Sequence, residues 1–267
     1  MDVLQQSRRK FFWNNVIDKG SKGIEIGPFN RPTVYQTEAE MYYADYYTTD
    51  ELRSQGSNYG IPPEDIPPVD FVLKSKELHE QLGNEEFDFI IANHVLEHVV
   101  DPFRWLKNLE PALKNNGRFI IALPDKRFSF DKFRTDTSLS HFISDYLNGG
   151  EKTIEQHAIE AAIYYDNRYV NGSNDITQRL HSDFIQSARS SYHPGMHVHV
   201  FQAEVFLKHV LKPFLNIGWL NLSLEKFGFN VELGEFYFSL YKTDSHKVLV
   251  TPEEFFINAY DTQQTTH

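Results

Sequence analysis

Short apolar runs alternate with amphipathic stretches over the first half of the chain. The runs KGIEIG, MYYADY, VDFVL and FDFIIANH predict four strands, and RFIIALP predicts a fifth. The fourth run is apolar almost throughout, as expected of a parallel strand that is buried on both faces. The alternation of strands and helices over residues 21–123 therefore predicts a parallel sheet with right-handed crossovers.

Helices are predicted around these strands. Residues 4–19 form an amphipathic pattern that ends near Gly20. Asp101 and Pro102 supply the N-cap and the first turn of another helix, which is predicted to run to about Leu113 and to end at the Asn-Asn-Gly stretch of residues 115–117. The stretch FQAEVFLKHVLKPFL predicts a later helix.

The regular alternation stops between Asp125 and about His199. This stretch is polar, rich in His, Asp, Ser and Tyr, and has helical patterns at 139–147 and 153–165. Beyond it, LEKFGFNVELGEFYFSLYKT and HKVLVTP predict two long antiparallel strands at the sheet edge, joined by a turn at Asp244 and Ser245. We interpret the chain as one domain, 1–267, with an insertion of residues 126–199 that forms a substrate pocket or a lid.

Composition narrows the class of protein. The 267 residues are 40% hydrophobic, enough for a globular core. No apolar run approaches the roughly 18 residues that span a bilayer, and the first residues lack the apolar stretch of a signal peptide, so we expect a cytoplasmic protein. The absence of cysteine excludes disulfides, thiolate nucleophiles and Cys-ligated metals.

The charge distribution argues against a polyanionic partner. A net charge of −11 repels nucleic acid and anionic membranes unless a local basic patch overrides it. The one dense basic stretch, which contains Lys126, Arg127, Lys132 and Arg134, is short. We expect it to bind a phosphate or a carboxylate of a small substrate.

The segment GIEIGPFNRP, residues 23–32, has the features of a ligand-binding turn. Gly27 lets the backbone pass close to a ligand, and the carboxylate of Glu25 can organise the turn or attract a cationic ammonium group. The free N–H groups of a following helix would suit a carboxylate. An amino-acid headgroup therefore fits better than a pyrophosphate, and the three-glycine dinucleotide fingerprint is absent. A plain strand-to-helix turn is the alternative.

Three segments carry a family resemblance. EIGPFNRP resembles the first motif of class I S-adenosylmethionine-dependent methyltransferases, in a variant with EIGP. FDFIIANHVLEHVVDPFRWLKNLEPALKNNGRFIIALPD resembles the block from the fourth to the fifth strand of that family, with LKNNG where L+PGG is usual. FGFNVELGEFYFSLYKTDSHKVLVT is similar to its closing hairpin. PDKRFSFDKFR and HVHVF look like a methyltransferase type 11-like EIGP subgroup that is associated with bacterial surface-polysaccharide genes.

The resemblance implies a fold and a cofactor site. The fold is α/β and Rossmann-like, with a seven-stranded, mostly parallel sheet, an antiparallel C-terminal hairpin and a helical insertion after strand five. Asp45 would bind the ribose hydroxyls of S-adenosylmethionine. A solvated turn carboxylate is the alternative for Asp45. The remaining implied cofactor contacts are Glu25, Gly27, Pro28, Asn30, Ser75, Asn93 and His94. Glu97 and His98 would follow, either as helix caps or with a functional role.

Methyl transfer to a hydroxyl group needs a proton acceptor, or a metal that lowers the pKa of the hydroxyl. We expect these groups in the insertion, because ligands of open α/β sheets bind at the carboxyl ends of the strands. The candidate catalytic residues are Asp125, His141, His197 and His199, and the candidate substrate contacts are Lys126, Arg127, Arg134 and His157. A divalent metal would be held by His141, His157, His197 and His199, since a His-x-His pair in an extended segment faces one side. Packed or hydrogen-bonded histidines are the alternative.

The expected activity is S-adenosylmethionine-dependent methylation of a small molecule, with O-methylation of a sugar or sugar-phosphate precursor of surface polysaccharide as the leading hypothesis. N- or C-methylation of another metabolite, which needs no outside base, is one alternative. A non-catalytic cofactor-binding subunit is the other. A nucleic-acid methyltransferase is disfavoured by the charge and by ANHV in place of an Asn-Pro-Pro-Tyr-type motif.

Overall fold

The computed structural model describes residues 3–12, 17, 20–74, 76–150, 153–164, 182–190, 192, 193 and 195–243. Within them, seven strands form one sheet. The strands are β1 Lys22–Ile26, β2 Glu40–Asp45, β3 Phe71–Val72, β4 Phe87–Asn93, β5 Leu113–Pro124, β6 Leu222–Asn230 and β7 Glu235–Lys242. Their order across the sheet is β3-β2-β1-β4-β5-β7-β6.

The sheet is parallel except at one edge. β1 pairs in parallel with both β2 and β4, β2 with β3, and β4 with β5. β7 runs antiparallel between β5 and β6. The predicted fold class is therefore confirmed. Because the parallel strands share a direction, their carboxyl ends bring residues 27, 45 and 93 to one edge of the sheet.

Helices flank the sheet and fill the insertion. They are α1 Val3–Phe12, α2 Thr49–Ser57, α3 Leu78–Leu82, α4 Pro102–Leu109, α5 Leu139–Asn148, α6 Ile154–Tyr164 and α7 Ser182–Arg189. A last helix, α8, has three segments, Ala203–Val205, Phe206–Leu211 and Lys212–Ile217, and its middle segment is π-helical. Helices α5, α6 and α7 lie in the predicted insertion. No helix of the described residues combines the length and apolar character that crossing a bilayer requires.

The central strand β4 shows why the fold follows from the apolar pattern. Ile90 packs into the larger core cluster together with residues of α3, α4 and α8, while Phe89 and Ile91 pack into the cluster on the opposite face. Each of these three side chains is fully buried. A strand with both faces covered has no fully exposed position, so residues 89–92 are all apolar; Asp88, near the start of the strand, is half-buried and pairs with Lys114.

Two predicted boundaries are wrong. The helix that begins at Pro102 ends at Leu109 rather than near Leu113, because Pro111 has no N–H and cannot continue it, and residues 115–117 lie within β5. The C-terminal hairpin turns between Asn230 and Glu235, so the stretch predicted as one long strand is both β6 and β7. The predicted turn at Asp244 and Ser245 and the strand HKVLVTP lie outside the described residues.

Candidate active site

The turn after β1 has the geometry expected of a ligand-binding loop. Gly27 has a φ of +67°, a left-handed conformation that glycine adopts without strain, and its N–H donates to the Ala44 carbonyl at 2.8 Å. A Cβ on Gly27 would lie 3.3 Å from the Val95 side chain. Gly27 is exposed, whereas Pro28 and Asn30 are half-buried on the loop that follows.

Glu25 is buried beneath this loop and holds it in place. Its carboxylate accepts from the backbone N–H of Thr33 at 2.7 Å, from the Thr33 hydroxyl at 2.8 Å and from the Asn93 amide at 3.3 Å. Burial raises the pKa of Glu25 to about 7, although the hydrogen bonds of Thr33 oppose this. Glu25 therefore organises the loop, the first of the two roles that its position suggested.

Asp45 lies at the carboxyl end of β2, and its side chain makes few hydrogen bonds within the described residues. It is buried, and Oδ1 accepts from the Tyr47 N–H at 3.1 Å. Burial raises the pKa of Asp45, because desolvation disfavours the charged form. This position beside the Gly27 loop is compatible with the expected hydrogen bonds from ribose hydroxyls to the Asp45 carboxylate. Ser75, the expected adenine contact, lies outside the described residues.

His94 directly follows β4, at the same sheet edge as the loop after β1. Its φ of +54° places it in the left-handed region, which non-glycine residues seldom adopt. Nε2 lies 2.8 Å from Glu235, which is also bound by the Arg8 guanidinium of α1. Burial would raise the pKa of Glu235, but His94 and Arg8 hold it at about 2. The ionised Glu235 therefore fixes the His94 ring, which remains 38% exposed.

The turn after His94 buries a carboxylate that has no hydrogen-bond partner. Glu97 is 0% exposed, and neither of its oxygens accepts a hydrogen bond within the described residues. Nδ1 of His94 lies 3.5 Å from Oε1 of Glu97, and Nε2 of His98 lies 4.0 Å away. The nearest ligand atoms of Glu97, His98 and His197 all lie within 4.8 Å of one another. A buried carboxylate facing imidazoles can accept a proton or hold a cation.

The imidazoles beside Glu97 are held by the insertion. Nδ1 of His98 lies 3.0 Å from the Met196 carbonyl, and Nδ1 of His197 lies 2.6 Å from Asp131. Burial lowers the pKa of His98. Burial also opposes charge on His197, but the hydrogen bond of Asp131 and the charges of Glu97 and Asp131 raise its pKa. The pKa values of the two rings are therefore shifted in opposite directions.

A second cluster lies inside the insertion. His141 and Asp145 on α5, His157 on α6 and His199 in the segment before α8 bring their ligand atoms within 4.8 Å of one another. Nε2 of His141 lies 3.2 Å from Nε2 of His157 and 3.3 Å from Oδ2 of Asp145. Burial lowers the pKa of His157 to about 3 and that of His199 well below its usual value. Both rings are therefore neutral near pH 7.

The structure separates His197 from the other three histidines of the predicted metal set. His197 faces Asp131 and His98, whereas His199 lies 3.8 Å from Asp145. The expectation that both rings share one side assumed a strand, but residues 197–199 form no strand. The Arg134 guanidinium, which binds the carbonyls of His197 and Val198, holds this irregular backbone.

The basic residues expected to bind substrate are paired within the protein. Lys126 binds Asp136 at 2.9 Å, and Arg127 binds Asp125 and Glu204 at 2.7 and 2.9 Å. Arg134 is fully buried against Asp131. Asp125, a candidate catalytic group, is also fully buried. Its carboxylate accepts hydrogen bonds from the backbone N–H groups of Arg127 and Ala203. Of the basic residues, Arg127 is the one with substantial exposure, 37% of its side chain.

Three participants of the site escape sequence reasoning. Arg8 and Glu235 meet across 227 positions of the chain, and Glu235 and His94 across 141, separations that no local pattern reveals. Asp131 is one of several charged residues in the insertion, and no local pattern pairs it with His197, 66 positions away. Glu97 and His98 do not cap α4, because Asp101 accepts from the Arg104 N–H and caps it instead.

Comparison with known proteins identifies the domain. A family model described as a methyltransferase domain matches residues 8–232. No curated protein matches the chain significantly. Similar solved structures include a protein from Rhodobacter sphaeroides described as a zinc-dependent alcohol dehydrogenase (12% identity, 90% of each chain, TM-score 0.48). The N-methyltransferase NodS from Bradyrhizobium japonicum has 9% identity over 90% of this chain and 95% of that one, with a TM-score of 0.41. The magnesium protoporphyrin IX methyltransferase from Synechocystis has 12% identity over 90% and 84%, with a TM-score of 0.42.

Proposed function

The chain belongs to the methyltransferase domain family and is an S-adenosylmethionine-dependent methyltransferase, and from that premise we propose that it methylates a hydroxyl group of a small molecule. The acceptor we propose is a sugar or sugar phosphate used in bacterial surface-polysaccharide synthesis, in accordance with the resemblance of the EIGP motif. The observation that carries the hydroxyl acceptor is the buried, unpartnered carboxylate of Glu97.

The cofactor is proposed to lie along the carboxyl ends of β1, β2 and β4. Gly27 allows the close approach of its methionine part, Asp45 accepts from the ribose hydroxyls, and Asn93 and His94 lie beside the transferred methyl group. Pro28 and Asn30 line the same loop, and Ser75 keeps its proposed contact with the adenine. The fixed loop above Glu25 supports this assignment, because a preformed loop binds without a large ordering cost.

Glu97 is proposed as the general base, acting directly or through the His98 imidazole. S-adenosylmethionine would supply a methyl group on its sulfonium for in-line attack by the acceptor oxygen, and the sulfur would keep the electron pair of the broken carbon–sulfur bond. The hydroxyl proton would pass to the Glu97 carboxylate, whose oxygens accept no hydrogen bond within the described residues. A methyl acceptor that is already a nucleophilic nitrogen or carbon would not need such a group.

The insertion of residues 126–199 is proposed to form the acceptor wall, with His197 as the ring that contacts the acceptor. Its pKa, raised by Asp131 and Glu97, favours a protonated imidazole, which would attract an anionic sugar phosphate. Arg127, the exposed cation, is the proposed phosphate contact. Arg134 and Asp125 are proposed to support this wall from within rather than to touch the substrate.

The test uses methyl-labelled S-adenosylmethionine with a set of nucleoside diphosphate sugars and sugar phosphates, and mass spectrometry of the products. The wild-type protein should transfer label to oxygen. Glu97→Gln should lower turnover by at least about 100-fold, the typical contribution of a general base, with unchanged affinity for S-adenosylhomocysteine. The control Glu86→Gln changes an exposed carboxylate and should have no effect.

Each other outcome assigns a different function. Label on nitrogen or carbon would replace the hydroxyl acceptor with the first alternative. Binding of S-adenosylhomocysteine without transfer to any of these acceptors would favour a non-catalytic subunit. The divalent metal hypothesis belongs to the same experiment. Loss of transfer with a chelator and recovery with a divalent ion, together with loss of bound metal in Glu97→Gln, would make Glu97, His98 and His197 metal ligands rather than a base.

A further inference from the structure

The cluster of His141, Asp145, His157 and His199 is not explained by methyl transfer. Its residues come from α5, α6 and the segment before α8, so the cluster lies where three parts of the insertion meet. All of its members except His141 are at most 1% exposed. Three imidazoles and a carboxylate enclosed in this way form a polar group inside the protein that needs a physical reason.

Among the described residues, the carboxylate of Asp145 has no Lys or Arg partner. Oδ1 accepts from the Thr153 hydroxyl at 2.6 Å, but Oδ2 is buried without a hydrogen bond. Among the described residues, the basic side-chain nitrogen atoms within ion-pair distance of Oδ2 belong to His141, His157 and His199, at 3.3, 4.0 and 3.8 Å. A fully buried carboxylate oxygen without a hydrogen bond is costly unless a cation compensates it.

The spacing of these atoms resembles a metal coordination shell. Four ligands held tetrahedrally at the usual zinc–nitrogen distance of 2.0–2.1 Å lie about 3.3 Å from one another. The separations of Nε2 of His141 from its two neighbours, 3.2 and 3.3 Å, agree with that value. Asp145 lies somewhat farther from His157 and His199, at 4.0 and 3.8 Å, and all four ligand atoms lie within 4.8 Å of one another. The hydroxyl of Thr153 would orient the carboxylate from outside the shell, as outer partners of metal ligands do.

We propose that His141, Asp145, His157 and His199 bind one divalent metal ion, with zinc as the preferred ion. Imidazole nitrogens with a single carboxylate oxygen suit zinc better than magnesium or calcium, which favour oxygen ligands. Four protein ligands complete a tetrahedral shell and leave no position for a substrate. The ion therefore has a structural role, which separates this site from the Glu97 site and makes it independent of the proposed function.

His199 is the ligand that must change most. Its Nε2, the atom nearest Asp145, now lies 3.0 Å from the Val100 carbonyl, and its Nδ1 is buried without a partner among the described residues. Coordination through Nε2 moves the ring proton to Nδ1 and breaks the contact with Val100. The Nε2–Nε2 contact of His141 and His157 also requires a proton on one of the two nitrogens, so coordination through both moves that proton to Nδ1 as well.

A metal ion here would fasten the insertion to the sheet. The backbone N–H groups of Val198 and His199 both donate to the carbonyl of Glu97, at 2.7 and 3.1 Å. Joining His199 to α5 and α6 therefore also fixes the turn that carries Glu97. The insertion has a small core cluster of its own, which contains Ala158, Ala161 and Met196. A bound ion would add the folding stability that a larger core would otherwise supply.

The test measures metal content in the purified full chain after dialysis against zinc and then against metal-free buffer. Wild type should keep one zinc ion per chain, and a cobalt-substituted sample should show the intense visible absorption of a tetrahedral site. Asp145→Ala and His157→Ala should weaken binding by more than the roughly 10–100-fold that is typical of outer-shell changes. His141→Ala, at the most exposed ligand, is the variant least harmful to folding.

Two control variants distinguish this site from the surface histidines and from the Glu97 cluster. His209→Ala removes an exposed histidine of α8 and should keep the ion. Glu97→Gln should also keep it. A wild-type protein that binds neither zinc nor cobalt would overturn the proposal, as would loss of the ion in Glu97→Gln but not in folded Asp145→Ala and His141→Ala. Neither result would bear on whether the protein transfers methyl groups.

Discussion

Replacing Glu25 with alanine removes the acceptor around which the proposed cofactor loop is folded. The carboxylate accepts from the Thr33 N–H at 2.7 Å, from the Thr33 hydroxyl at 2.8 Å and from the Asn93 amide at 3.3 Å. Thr33 is buried, so its two donors would remain without an acceptor, whereas the Asn93 amide also donates to the Thr33 hydroxyl at 2.8 Å. We expect residues 28–34 to lose their fixed conformation and the cofactor to bind more weakly.

The magnitude follows from two opposing contributions. Each buried donor left unpaired costs about 1–3 kcal/mol. Burial raises the pKa of Glu25 to about 7, so the charged carboxylate carries a desolvation cost that disappears with it. We expect a net loss of about 1–3 kcal/mol in the binding of S-adenosylhomocysteine, which corresponds to about 5- to 150-fold in Kd.

Calorimetric titration with S-adenosylhomocysteine measures this change, with circular dichroism to show that the variants are folded. Thr33→Val is the matched control. It removes the hydroxyl, which donates to Glu25 and accepts from the Asn93 amide, and it leaves the backbone N–H on Glu25. It should lose less than about tenfold in affinity, the value of one neutral hydrogen bond. Unchanged affinity in folded Glu25→Ala would refute the assignment of this loop to the cofactor.

Asp45→Ala should weaken S-adenosylhomocysteine far more than free methionine, since only the former has ribose hydroxyls; equal effects in calorimetry would make Asp45 a turn residue. Glu235→Gln should lower the free energy of unfolding at pH 7 by on the order of 3 kcal/mol, because His94 and Arg8 hold the pKa of Glu235 at about 2 instead of the usual 4.3. A depressed carboxyl pKa stabilises the fold above about pH 4.3, so denaturation curves of wild type and variant should converge as the pH falls toward about 2. A difference that persists there would contradict this pairing.

The sheet could be predicted from the sequence because its parallel strands are buried on both faces. The β4 run is apolar for this reason, and the strand ends at Gly27, Asp45 and Asn93 follow directly from it. The boundaries that were wrong depended on single residues. Pro111 ends α4 early, and the turn between β6 and β7 uses Gly234 at a φ of +63° inside a stretch that is otherwise typical of one long strand.

The two polar clusters could be predicted only in part. The i, i+4 spacing of His141 and Asp145 on α5 indicates a pair on one helix face. Their meeting with His157 and His199 depends on how α6 and the irregular segment at 197–199 pack, which no local pattern encodes. The case of Lys126, Arg127 and Arg134 is different, because their partners Asp136, Asp125 and Asp131 lie in the same stretch of sequence and the prediction considered only its basic residues.

A crystal structure with S-adenosylhomocysteine tests the central claim most directly, through the distance from its sulfur atom to the Glu97 carboxylate. We expect the sulfur within about 8 Å of Glu97, close enough for an acceptor hydroxyl to lie between the methyl position and the base, with the ribose on Asp45. A sulfur bound at the Gly27 loop but far beyond that distance, with Glu97 still enclosed and no path between them, would contradict the account.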